Sequence, residues 1–287
     1  MWLVLAFLSA LFAGVTSILA KCGIKNVNSN LATAVRTVVV LAFSWVTVFI
    51  AGSQSTITDI EPKTLIFLVL SGLSTGASWL CYFKALQLGD VNKVTPVDKS
   101  STVLTMLLAF IFLGEEITPL KAAAILIIGV GTYLMIEKKE TQAKRTNSKW
   151  LVFAFLSALF ASLTSIFGKV GIENVESNLG TALRTAVVLI MAWLIVFLQK
   201  KQTEIKNIDK RSWVFLILSG FTTGASWLCY YGALHEEAAK VSVVVPIDKL
   251  SILVTVLFSY IFLKEKLTKK AFAGLVLIIT GTLLLLI

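Results

Sequence analysis

Thr95-Pro96-Val97-Asp98-Lys99-Ser100 returns later in the chain as Val245-Pro246-Ile247-Asp248-Lys249-Leu250. In each copy the Asp-Lys pair opens a long, mostly apolar run that ends in Phe112-Leu113 or Phe262-Leu263. A charged stop follows, Gly114-Glu115-Glu116 or Lys264-Glu265-Lys266. Ionised side chains inside a membrane-length apolar run are expensive unless compensated, so their presence marks a site. Two occurrences in the same local context mark a tandem repeat.

The repeat extends well beyond this stretch. Phe7-Leu8-Ser9-Ala10-Leu11-Phe12-Ala13 matches Phe155-Leu156-Ser157-Ala158-Leu159-Phe160-Ala161, Arg36 matches Arg184, and Gly76-Ala77-Ser78-Trp79-Leu80-Cys81-Tyr82 matches Gly224-Ala225-Ser226-Trp227-Leu228-Cys229-Tyr230, all 148 residues apart. The Asp-Lys pairs stand 150 apart, so the second copy carries a longer loop just before its pair. Apolar segments run from Trp2 to Ala20, Leu31 to Ala51, Leu65 to Gln87, Val91 to Leu113 and Pro119 to Ile136. They resume from Trp150 to Gly168, Leu179 to Leu198, Trp213 to Leu234, Ser242 to Leu263 and Ala271 to Ile287. Each reaches or approaches the roughly 20 residues that a helix needs to cross the hydrocarbon core. The reading is an all-α polytopic membrane protein of ten transmembrane helices, in two five-helix units over residues 1–137 and 150–287 joined by a basic linker over residues 138–149. A repeat with an odd number of spans inserts its two copies upside down, which makes this an inverted 5+5 repeat.

Composition agrees. The chain is 57% hydrophobic and 15% charged, with a mean hydropathy of +0.87, whereas soluble domains carry about a quarter charged residues. The apolar opening has no basic leader and reads as a first span rather than a signal peptide. The net charge of +10 is explained by loops that face anionic lipid, and no aromatic-laced basic groove points to nucleic acid. Seventeen Lys and Arg lie in the loops after the odd-numbered spans, including Lys21, Lys25, Lys93, the linker, Lys200 to Arg211 and Lys264 to Lys270; only Lys63, Lys121, Lys169 and Lys240 lie in the others. The positive-inside rule then puts the linker in the cytoplasm and both termini outside a multi-pass cell membrane protein. Cys22, Cys81 and Cys229 fit no metal or disulfide spacing and read as small core residues. No phosphate loop, nucleophile elbow or zinc-protease motif is present, so no enzyme, metal or cofactor is expected.

Inside the spans the charged residues are Arg36, Lys84, Lys99, Arg184 and Lys249 against Asp98 and Asp248. Adjacent helical residues point about 100° apart, so one member of each Asp-Lys pair faces a central cavity while the other braces its helix, for instance through Arg36 or Arg184 as supporting charge. A substrate or coupling role and a structural ion network both stay open. Pro96 and Pro246 suit a helix's first turn, or open a helix within the membrane and leave a positively polarised end beside the pair. Thr75, Ser78 and Tyr82, repeated as Thr223, Ser226 and Tyr230, form a polar stripe beside Trp79 and Trp227; it lines a pathway or satisfies itself between helices. Gly72 with Gly76, and Gly220 with Gly224, have the spacing of close helix packing. Lys84 reads as an interfacial anchor and His235, beside Glu236 and Glu237, as a solvent-side residue.

These segments resemble the drug/metabolite transporter superfamily, EamA type, over nearly the whole chain. The likeness rests on the Phe-Leu-Ser-Ala-Leu-Phe-Ala segments, Ala85-Leu86 and Ala233-Leu234, Pro96 and Pro246, and the closing Phe112-Leu-Gly-Glu-Glu-Ile-Thr-Pro and Phe262-Leu-Lys-Glu-Lys-Leu-Thr stretches. The resemblance implies a secondary transporter in which helices one to four and six to nine surround a cavity while five and ten pack outside it. It would put Ser78, Trp79 and Tyr82, and Ser226, Trp227 and Tyr230, on cavity-forming helices, with Asp98, Lys99, Asp248 and Lys249 on the two helices after them; with Thr75 and Thr223 of the polar stripe these are the candidate substrate-pathway residues. The excess of basic over acidic residues in the spans favours a small polar, anionic metabolite. The rivals are a cation or zwitterion held by Asp98 or Asp248 and an aromatic wall, a lipid or polyprenyl phosphate, and a non-transporting membrane scaffold. Membrane lipids and a coupling proton or ion are the expected partners, and the assembly is a monomer or homodimer.

Overall fold

The computed structural model describes residues 2–113, 118–135, 149–172, 175–234, 247–248, 250–264 and 266–284, and among them every regular element is helical. Gly114 to Glu116, linker residues 138–148, His235 to Glu237, Pro246 and Lys249 lie outside the described residues. The first unit holds α1 (Trp2–Gly23), α2 (Ser29–Ala51), α3 (Pro62–Leu88), α4 (Val91–Lys99), α5 (Ser101–Leu113) and α6 (Pro119–Met135). The second holds α7 (Lys149–Ile172), α8 (Ser177–Leu198), α9 (Lys210–Leu234), α10 (Ser251–Phe258) and α11 (Lys269–Leu284). Six of these, α1 to α3 and α7 to α9, are long and apolar enough to cross a membrane. The chain is an all-α polytopic membrane protein.

Local chemistry sets the helix ends. Asn28 Oδ1 accepts the amides of Asn30 at 3.0 Å and Leu31 at 3.3 Å to cap α2. At the repeat-equivalent position Glu176 accepts those of Asn178 and Leu179, each at 3.0 Å, to cap α8. Both satisfy donors that a helix start leaves orphaned. Pro62 and Pro119 each open a helix, where a missing N–H is harmless.

Pro96 does not. It sits inside α4, and the predicted fourth span from Val91 to Leu113 is two helices broken at Ser100. Proline removes the amide that would pair with the Asn92 carbonyl. At the break, the Ser100 amide donates to the Pro96 carbonyl at 3.0 Å and the Ser100 hydroxyl to the Val97 carbonyl at 2.6 Å. The second unit does the same one residue past its Lys: Leu250 donates to the Ile247 carbonyl at 3.0 Å, immediately before α10.

The two units interleave. α1 packs against α9 and α3 against α7, so each first helix lies on the third helix of the other unit. α2 pairs with α8, its own counterpart, and α6 with α11. These self-pairs are antiparallel. Asn30 at the start of α2 donates to Gln199 just past the end of α8 at 2.9 Å, and Gly131 meets Gly274 while the earlier Ile128 meets the later Gly281. Equivalent helices running opposite ways are what an inverted repeat requires. Glycine makes the contacts close: a Cβ on Gly72 would lie 2.8 Å from the Arg184 carbonyl, and one on Gly220 3.1 Å from that of Arg36. The expected packing role of those glycines is therefore met in both units.

Candidate functional site

Arg36 is the largest fully buried side chain among the described residues, 1% exposed. It lies in α2 and reaches α9, where Nε donates to the Ser219 hydroxyl at 3.2 Å, and Nη2 to the Ser219 carbonyl at 3.3 Å and the Thr223 hydroxyl at 2.8 Å. Its guanidinium also lies 4.3 Å from the Phe83 ring centre and 5.3 Å from that of Trp79. Aromatic faces and hydroxyls take the place of a carboxylate, and no acidic group pairs with it among the described residues. The counterpart Arg184 reaches from α8 to α3, donating to the Thr75 hydroxyl at 3.2 Å. Each arginine thus ties the second helix of one unit to the third helix of the other.

The aspartates answer to serines instead of arginines. Ser157 in α7 donates to Asp98 Oδ1 at 2.7 Å, and Ser78 in α3 donates to the Ser157 carbonyl at 3.0 Å, with the two hydroxyls 3.2 Å apart. Ser9 in α1 donates to Asp248 Oδ1 at 2.9 Å, and Ser226 in α9 donates to the Ser9 carbonyl at 3.0 Å, again with hydroxyls 3.2 Å apart. These are one motif in two copies, each joining both units. Bracing of Asp98 by Arg36 is therefore replaced by a hydroxyl from the opposite unit. Ser9 and Ser157 were visible as the single polar residue of the repeated Phe-Leu-Ser-Ala-Leu-Phe-Ala segment, but nothing in one sequence says that this hydroxyl faces a carboxylate.

A cavity of ≈ 220 Å³ opens between the units. Ala13 and Ala161, Ser78 and Ser226, and Trp79 and Trp227 line it as repeat-related pairs. The indole rings meet with centroids 5.7 Å apart and an interplanar angle of 35°. Among the described residues the rest of the wall is Thr16, Ser17, Arg36, Tyr82, Phe83, Asp98, Lys99 and Ser101 of the first unit, with Thr223 of the second. Tyr82 donates to the Ser17 hydroxyl at 2.9 Å. Lys99 lines the cavity too and, among the described residues, has no hydrogen-bond or ion-pair partner.

Of the residues singled out in the sequence, Arg36, Ser78, Trp79, Tyr82, Asp98, Lys99, Thr223, Ser226 and Trp227 meet around this cavity. Thr75, Arg184, Tyr230 and Asp248 are not in its wall. Thr75 bonds to the Ser71 carbonyl and to Thr164, and Tyr230 packs beside Ala6, Ala233 and Ile247. Lys84 donates to Gln87 at 3.0 Å, away from the site. Among the described residues no group of three or more His, Cys, Asp or Glu is placed to hold a metal. Apart from Ser9 and Ser157, sequence reading overlooked Ser219 and Phe83, which seat Arg36, and Thr16, Ser17 and Ser101 in the cavity wall.

Comparison with known proteins gives a consistent frame. The model of the EamA-like transporter family matches residues 1–137 and again 148–287. A Sinorhizobium protein named "Uncharacterized transporter in cobO 3'region" is 42% identical over 134 residues, 47% of this chain and 95% of that protein. An uncharacterized protein of Methanocaldococcus jannaschii is 32% identical over 135 residues, 47% of this chain and 94% of its own. Both relatives are about the length of one repeat unit. A solved structure described only as "Crystal structure of protein" superposes with a TM-score of 0.66 at 17% identity, covering 98% of this chain and 94% of its own, a likeness of fold.

Proposed function

We propose that this chain, which belongs to the EamA-like transporter family, is a secondary transporter of a small anionic metabolite, working by alternating access between its two inverted units. The observation that carries this reading is the cavity at their junction, walled by paired residues from both units and holding, among the described residues, two cations, Arg36 and Lys99, against one carboxylate, Asp98. A binding site near the crossing of inverted repeats is where such transporters hold substrate. Asp98 is already engaged by Ser157, which leaves Lys99 as the group best able to meet an incoming negative charge. The break at Ser100 sets Lys99 at the end of α4, where a short change of backbone angle redirects it. A coupling proton or ion, a cytoplasmic-membrane location and a monomeric or dimeric assembly belong to the same proposal.

The test is counterflow in proteoliposomes with a panel of organic anions, cations and lipid-linked phosphates. Saturable anion uptake that Lys99→Gln reduces and Asp98→Asn alters, with unchanged melting temperatures, is the expected result. Uptake indifferent to both substitutions would remove the cavity from the mechanism. The Trp79–Trp227 pair beside Asp98 supports a second reading, transport of an organic cation; it predicts loss on Asp98→Asn and none on Lys99→Gln.

A further inference from the structure

We propose that the substrate is a flat, singly charged organic acid: a small aromatic carboxylate whose ring lies against Trp79 and Trp227 and whose carboxylate faces Arg36 and Lys99. This rests on the transport reading above and narrows its substrate class. Four observations converge on it.

First, charge. The described wall carries Arg36 and Lys99 against Asp98, so one negative charge neutralises it. A phosphate dianion overshoots, a zwitterion leaves the excess uncompensated, and an amine adds to it. Second, donors. Arg36 is 1% exposed and lines the cavity, yet only its Nε and Nη2 are engaged, by Ser219 and Thr223. Nη1 has no hydrogen-bond partner among the described residues. A buried guanidinium with unused N–H groups at a cavity wall is matched by an anionic acceptor. Lys99 supplies a second cation with no partner among the described residues.

Third, size. A cavity of ≈ 220 Å³ has the volume of about seven waters, below the roughly 300–1,000 Å³ of pockets for drug-sized ligands. A single ring bearing one carboxylate fits that space. Fourth, shape. The paired indoles present an aromatic surface beside the cations, and flat rings gain from such contact beyond the area they bury. A short aliphatic acid would leave that surface unused.

Benzoate is the probe. Purified full-length protein is titrated with benzoate, acetate, inorganic phosphate, phenylalanine and benzylamine at equal concentrations, read by tryptophan fluorescence and thermal shift. Saturable quenching and stabilisation by benzoate, with acetate about tenfold weaker and benzylamine silent, is expected, a gap of about 1.4 kcal/mol. Lys99→Gln weakens benzoate about tenfold, the scale of one charge-assisted contact, and Trp227→Leu weakens benzoate while leaving acetate unchanged. Benzoate binding no tighter than acetate, or phosphate, phenylalanine or benzylamine binding best, overturns the proposal. The two levels fail separately. Lys99-dependent flux of phosphate or phenylalanine without benzoate binding leaves the transporter standing and sinks the aromatic acid. Benzoate binding without flux of any solute does the reverse.

Discussion

Ser9 and Ser157 carry more of the junction than their size suggests. Each donates to a carboxylate of the other unit and is itself held by a serine of that unit's third helix. Hydrogen bonds between membrane helices contribute about 0.6 kcal/mol on average and up to about 1.7. Ser157→Ala and Ser9→Ala should therefore each lower stability by about 1 kcal/mol, to a similar extent, as measured by thermal melting in detergent. Matched losses identify the two motifs as equivalent braces; an effect at only one of them breaks that equivalence. The aspartates, both arginines and the Thr-Ser-Tyr stripe could be read in the sequence because charge and hydroxyls stand out in apolar runs. Ser9 and Ser157 do not stand out, since a lone serine in a membrane helix commonly bonds to its own backbone. Phe83 escaped for the opposite reason: among 18 phenylalanines nothing distinguishes the one that covers a guanidinium.

The helices behave as their apolar runs foretell, except where a single residue changes the backbone. The break at Ser100 was not legible because both sequence readings of Pro96 make it a helix opener, whereas the preceding turn from Val91 puts it inside α4. At the α6–α11 crossing, a Cβ on Gly131 would sit 2.7 Å from the Gly274 carbonyl and one on Gly274 2.5 Å from that of Gly131. Gly131→Val should force the pair apart and lower stability by about 1–3 kcal/mol. Flux per folded molecule should be retained, because neither helix lines the cavity; melting and counterflow on the same preparation check both parts. On the exposed edge of α9, Asp209 accepts the amide of Ser212 at 3.1 Å. Bonds to the Ser212 side chain and amide hold its carboxyl below the ordinary 3.8. Its stabilising effect is therefore full above that ordinary value and is lost as pH falls through the lower native one. Asp209→Ala should melt earlier than the parent at neutral pH, and the gap should close in acid.

Across the whole molecule, charge and architecture agree. The turn between α1 and α2 is tied to the end of α3 by Gln87, which donates to the Val27 carbonyl at 2.9 Å, and by Lys21, which donates to the carbonyls of Leu86 and Gly89. The end of α8 joins the same face through Asn30 and Gln199. Lys25, Lys93 and the Lys200 to Arg211 segment thus gather there, while Ser53–Asp59 packs against α8 at the other end. If the basic face is cytoplasmic, a cysteine at Thr203 in a background lacking Cys22, Cys81 and Cys229 reacts with an impermeant reagent only in inverted vesicles, and one at Ser55 only in intact cells. The reverse pattern puts both termini inside. The inverted repeat could be read from the tandem sequence, but which helix meets which could not, because both units carry the same faces. The exchange of α1 onto α9 has a consequence in time. At roughly 5–20 residues per second, the ribosome needs on the order of ten seconds or more to pass from the end of α1 to the end of α9. For most of that interval Arg36 is already synthesised while Ser219 and Thr223 are not. The nascent first half must therefore be sheltered at the insertion machinery or kept near the headgroups until its partner helices arrive, and a chain stopped before α9 would present that arginine to quality control.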